Sequence, residues 1–161
     1  MKKLQTKFIY CVLVALIGCS LSSCKKSADS ADAALDVNLL KSAKKYEALI
    51  SEREATQGGF EIESLSRSGN MLTVTVKGGC KEEDFNVVWD GAIMFSSPGQ
   101  INLVLYNDKT QDCNTHNQMN VKVNLAKILG SHNPQNFIIN VANGSKKKDV
   151  SLGTNGSVVF K

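Results

Sequence analysis

The sequence predicts a mainly β chain: an antiparallel β-sandwich of about eight strands preceded by one amphipathic helix. Three observations predict it. An apolar stripe recurs at steps of three and four within residues 32–57, the spacing changes to a period of two from Phe60 onward, and turn-forming residues punctuate the alternating segments at regular intervals.

The stripe consists of Leu35, Leu39, Ala43, Tyr46, Leu49 and Ile50, with Asp36, Lys41, Lys44, Lys45 and Glu47 elsewhere. A helix of about six turns follows from that spacing. Asp29, Asp32 and Asp36 lie early, Arg53 lies late and Gly58-Gly59 supplies a stop, as the helix dipole and the C-cap preference favour. One apolar stripe cannot bury itself, so this helix packs on the domain that follows it, meets a partner or lies on the membrane; packing is the favoured expectation, since the polar face mixes Lys with Glu.

That domain, residues 58–161, opens with a hairpin. Phe60-Glu61-Ile62-Glu63 alternates, Ser68-Gly69-Asn70 turns, and Leu72, Val74 and Val76 alternate with Thr73, Thr75 and Lys77. Further strands are expected at 85–90, 101–107, 119–125, 137–142, 149–152 and 157–160, separated by turn signals such as Ser97-Pro98-Gly99, Asn107-Asp108, Asn143-Gly144 and Asn155-Gly156. Short strands at this spacing suit an antiparallel sandwich or barrel better than a βαβ fold.

The 161 residues, 42% apolar and 21% charged, have the composition of one ordinary globular domain. The amino terminus stands apart. Lys2, Lys3 and Lys7 precede an unbroken apolar run at 8–17, the shape of a signal peptide and too short for the roughly 20 apolar residues of a membrane-spanning helix. With those three lysines removed the net charge falls from +4 to +1, which leaves no basic excess for nucleic acid.

Leu21-Ser22-Ser23-Cys24 resembles the lipobox of bacterial lipoproteins. The resemblance implies a signal peptide at 1–23, acylation of Cys24 (palmitate among the chains), a tether at 24–31, and a location in the bacterial cell envelope. Membrane attachment then runs through the amino-terminal lipid, since two or three acyl chains anchor durably where one does not. Leu16-Ile17-Gly18-Cys19 also fits the pattern; Cys24 is favoured because Lys25-Lys26 ends the apolar segment directly after it. Lys25, in place of an aspartate, resembles the sorting position of outer-membrane cargo.

After such processing Cys80 and Cys113 are the remaining cysteines, and in an oxidising compartment a disulfide between them is expected. Closing that loop would contribute about 3.8 kcal/mol in the chain-entropy model. The set Cys80, Trp89 and Cys113 resembles the tryptophan bracketed by cysteines in immunoglobulin-like domains, although there the second cysteine lies much further along; the sandwich class is what this resemblance implies. The stretch Gly78-Gly79-Cys80-Lys81-Glu82-Glu83-Asp84-Phe85, with Gln100-Ile101-Asn102-Leu103 and Asp112-Cys113, also resembles an uncharacterised β-sandwich domain of exported bacterial proteins, which implies no activity.

Catalytic motifs are absent from the sequence: there is no local nucleophile motif beside His116 or His132 and no glycine-rich phosphate loop. Cys113-Asn114-Thr115-His116 has metal-ligand spacing at one end only, so neither a metal nor another cofactor is expected. Lys146-Lys147-Lys148 reads as a basic turn. The expected function is a non-enzymatic binding module for an unknown envelope protein or polymer. Alternatives are an envelope enzyme with His116 or His132 as general base, and an inhibitor or immunity-type lipoprotein presenting the loops at Pro98 and Asp108.

Overall fold

In the computed structural model, residues 32–53, 59–108 and 117–161 are described. The expected signal peptide, Cys24, the tether, Cys113 and His116 lie outside them. The described residues form a mainly β structure with two sheets and few helices.

Alternation of apolar residues builds both sheets. β3 (Glu61–Ser68), β4 (Met71–Lys77) and β7 (Gln118–Asn124) form an antiparallel three-stranded sheet. The larger sheet has seven strands in the order β1 (Ala33–Asp36), β2 (Leu39–Lys41), β5 (Phe85–Met94), β6 (Gly99–Asn107), β8 (Phe137–Asn143), β9 (Val150–Leu152) and β10 (Val158–Phe160). One core receives side chains from both: Leu72, Val74, Val76, Val121 and Val123 from the small sheet, and Val87, Ile101, Leu103, Leu105, Ile139 and Val141 from the large one. Each of these side chains is at most 1% exposed, so the period of two reports a true inside face.

Two expectations need correction. Residues 32–57 do not form one helix: Ala33–Asp36 and Leu39–Lys41 are strands, and the helix α1 is only Ala43–Glu52. The reason is tertiary pairing. Leu39, Leu40 and Lys41 align with Val87, Val88 and Trp89 of β5, which places Leu39 in the core and Leu40 on the opposite face. Ser42, fully buried, then starts the helix by accepting the Lys45 amide proton on its Oγ at 3.0 Å. Tyr46, Leu49 and Ile50 pack with Leu40 on Val88, Val104, Tyr106 and Ala142, so α1 covers part of the outer face of the large sheet.

The second correction concerns direction. The large sheet is mixed, with β2 parallel to β5 and β6 parallel to β8. Parallel neighbours need crossover connections. The chain supplies one through α1, β3 and β4, and another through β7 and the short helix α2 (Ala126–Leu129). Each excursion to the small sheet thus returns the chain to the large sheet in the same sense.

Candidate functional site: an aromatic tip beside an arginine cleft

The β5–β6 hairpin ends in Met94, Phe95, Ser96, Ser97 and Pro98, and its apolar side chains are not covered: Phe95 is 70% and Met94 41% exposed. Phe95 does not stand alone. The His132 ring lies 5.3 Å from it at a 58° tilt, and the buried Phe137 ring lies 6.4 Å from it, edge-on. Aromatic contacts of this geometry hold a ring in place. Gly99 makes room for them, because a Cβ there would come within 2.5 Å of the Phe137 ring.

Segment 132–137 links this tip to a second feature. β3 carries a bulge between Ile62 and Ser64, which shifts the side-chain parity so that Leu65 faces the core. Arg67, two residues on, shares that face and spans to the large sheet. Its Nη1 donates to the carbonyls of Pro134 at 2.7 Å and Phe137 at 3.1 Å, and its Nη2 to the carbonyl of Thr154 at 3.3 Å. Burial pushes the Arg67 pKa below its usual value. The side chain borders an open cleft of about 410 Å³ whose walls include Leu65, Gln135, Leu152 and Thr154. Sequence reading missed Arg67; the only signal was a cation two positions after an apolar strand residue.

Among the described residues, those singled out from sequence do not gather here into catalytic machinery. His132 makes ring contacts with Phe95 and Phe137, and among the described residues no carboxylate orients its imidazole. No group of three or more His, Cys, Asp or Glu side chains among the described residues is placed to hold a metal ion. The loops at Pro98 and Asp108 leave opposite ends of β6, about 26 Å apart at roughly 3.3 Å per residue. Cys80 lies half-buried just beyond β4.

No family model, curated protein or solved structure matches the chain. Among the described residues no helix is long and apolar enough to cross a membrane.

The uncovered part of the large sheet's outer face carries a polar row. Asn102 Nδ2 donates to Asp90 at 3.0 Å, Asn140 Nδ2 donates to Asn102 Oδ1 at 3.1 Å, and Ser151 Oγ donates to Asn140 Oδ1 at 2.7 Å. Register aligns Asn102, Asn140 and Ser151 across β6, β8 and β9, Asp90 joins them from the irregular part of β5, and they satisfy one another. Tyr46 of α1 stands nearby, its phenol pushed up by burial and then by the charges of Asp90 and Asp149.

The basic turn is likewise committed to the fold. Lys146 Nζ lies 2.9 Å from Glu61 and Lys148 Nζ 3.8 Å from it, joining the β8–β9 turn to β3. The Lys146 hydrogen bond, followed by the charges of Lys146 and Lys148, holds the Glu61 carboxyl below the usual carboxylate range. A lowered folded pKa stabilises the fold above the unfolded value, and that contribution is lost as pH falls through the folded value. Lys146→Ala is therefore expected to raise the Glu61 pKa toward its ordinary value in a carboxyl NMR titration and to shrink the stability lost on acidification. An unchanged Glu61 titration would show that the contact has no energetic role.

Proposed function

We propose that the chain is a lipid-anchored bacterial envelope lipoprotein whose folded domain is a non-enzymatic interaction module. The observation that carries the interaction reading is the ordered, uncovered tip of Met94 and Phe95, backed by His132 and Phe137. Neighbouring exposed apolar side chains on a folded domain favour the docking of a partner there. In this reading Cys24 carries the acyl chains, residues 24–31 tether the domain, and the lipid holds it to the outer membrane.

The finer fold description in this reading is an immunoglobulin-like β-sandwich closed by a Cys80–Cys113 disulfide. Its support is that residues of both sheets share one core, and that Phe85 pairs with Asn107. Cys80 precedes Phe85 by five residues and Cys113 follows Asn107 by six, so both loops leave the same end of the β5–β6 pair.

The test is photocross-linking from Ser96, beside Phe95, in the envelope of cells that make the protein, with mass mapping of the amino terminus of the recovered chain. The reading expects acylated Cys24 and one discrete adduct whose yield Phe95→Asp lowers about tenfold at unchanged thermal stability, the loss expected when an apolar anchor of an interface becomes charged. An adduct insensitive to Phe95→Asp, no discrete adduct, or an unacylated Cys24 overturns it.

A further inference from the structure

An arginine has five N–H donors. Three of those on Arg67 go to the carbonyls of Pro134, Phe137 and Thr154, and its Nε–H and one Nη2 N–H find no acceptor among the described residues. No carboxylate among the described residues lies within ion-pair distance of it either. Carbonyl dipoles thus orient the guanidinium without neutralising it. The charge is held partly out of water at the wall of a cleft, on a rigid strand, with two donors to spare.

We propose that the Arg67 cleft binds a peptide carboxylate of the docking partner. A guanidinium supplies the charge that a carboxylate pairs with, and its two uncommitted N–H groups are donors for carboxylate oxygens. The cleft is large enough for one terminal residue and has both an apolar floor, Leu65 and Leu152, and polar walls, Gln135 and Thr154. Segment 132–137 touches both features, through the Pro134 and Phe137 carbonyls that Arg67 bonds and the His132 and Phe137 rings that back Phe95, so the cleft and the tip share one segment of the domain. The assignment rests on reading this end of the domain as an interaction surface.

Three synthetic probes test it on the purified protein by NMR titration: acetyl-Ala-Phe with a free carboxylate, the same peptide as its amide, and acetyl-Ala-Asp-Ala-amide. The proposal expects resonances of Thr154 and Gly156 to move with at least one carboxylate probe at millimolar concentration, and the amide of acetyl-Ala-Phe to bind about tenfold more weakly than the stronger of the two. Preference for the first probe identifies a chain terminus as the source, and preference for the third an acidic side chain.

Two variants separate recognition from folding. Arg67→Lys keeps the charge and loses the planar donor pair. Gln135→Glu sets a competing carboxylate on the cleft wall at an exposed position that does not bear on the core. Both are expected to weaken the carboxylate probe about tenfold, the second at unchanged thermal stability. Equal binding of carboxylate and amide, no shifts with any probe, or full binding to Gln135→Glu overturns the proposal. The readout is independent of the Ser96 cross-link, so loss of one reading is distinguishable from loss of the other.

Discussion

Phe85→Ala is expected to destabilise the protein by about 4 kcal/mol, within the range of roughly 3–5 kcal/mol for truncating a buried phenylalanine. Phe85 is fully buried at the start of β5, and its ring meets Phe60, which leads into β3, edge-on at 4.9 Å and 88°. The pair joins the large sheet to the small one. Gly79 closes over it: a Cβ there would come within 2.8 Å of the Phe85 ring, and its φ of +102° already favours glycine. Neighbours this tight and this constrained cannot collapse into the space the ring leaves, so the cavity term persists. The measurement is a urea titration, in which the midpoint should fall with little change in slope. Phe95→Ala, ten residues along the same hairpin, is the control, because an exposed ring costs less than about 1 kcal/mol to truncate. Equal effects from the two truncations would refute this account of the core.

The contrast between these two phenylalanines shows what the sequence makes legible. Phe85 begins a segment in which Phe85, Val87 and Trp89 alternate, so its burial is readable. The strands from Phe60 onward were legible for the same reason, as was the turn at Ser68-Gly69-Asn70. Phe95 falls between two alternating runs, where no periodicity indicates whether an aromatic is covered. Strand direction was illegible as well, since alternation is the same in parallel and antiparallel neighbours.

Residues 33–41 illustrate a genuine ambiguity. Leu35 and Leu39 sit four apart, as a helix requires, and the doublet Leu39-Leu40 breaks any half-buried strand pattern. The doublet makes sense once β2 is seen to be covered on both faces, by the core on one side and α1 on the other. Arg67 was hidden by a different device. The bulge between Ile62 and Ser64 reverses the parity established by Ile62, so counting by twos from Ile62 places Arg67 on the wrong side. The polar row at Asp90, Asn102, Asn140 and Ser151 depends on register, which no single segment contains.

Asn143 is the residue whose sequence context misled most, and its replacement is expected to have the second largest effect. Asn143-Gly144 reads as a solvated hairpin turn, yet Asn143 is fully buried. Its Nδ2 donates to the Phe60 carbonyl at 2.9 Å, while its Oδ1 accepts from the Ser145 amide at 2.8 Å and the Ser145 hydroxyl at 2.7 Å. A single amide thus ties the end of β8 to the entry of β3 and shapes the β8–β9 turn. Asn143→Ala is expected to cost about 2–3 kcal/mol, because it strands buried polar groups as well as removing their bonds. Asn143→Asp should cost more at neutral pH: its oxygen would face the Phe60 carbonyl in place of a donor, with Asp149 Oδ1 already accepting from the backbone N–H of residue 143 at 3.2 Å. Burial raises the folded pKa of such a carboxyl above its unfolded value, so its neutral form retains stability in acid and loses it as pH rises through the folded value. Unfolding titrations of Asn143→Asp at acidic and neutral pH, each referred to the unsubstituted protein, should therefore show the deficit widening as pH rises. A deficit independent of pH would place residue 143 in contact with water and remove the latch from the account of how the two sheets are joined.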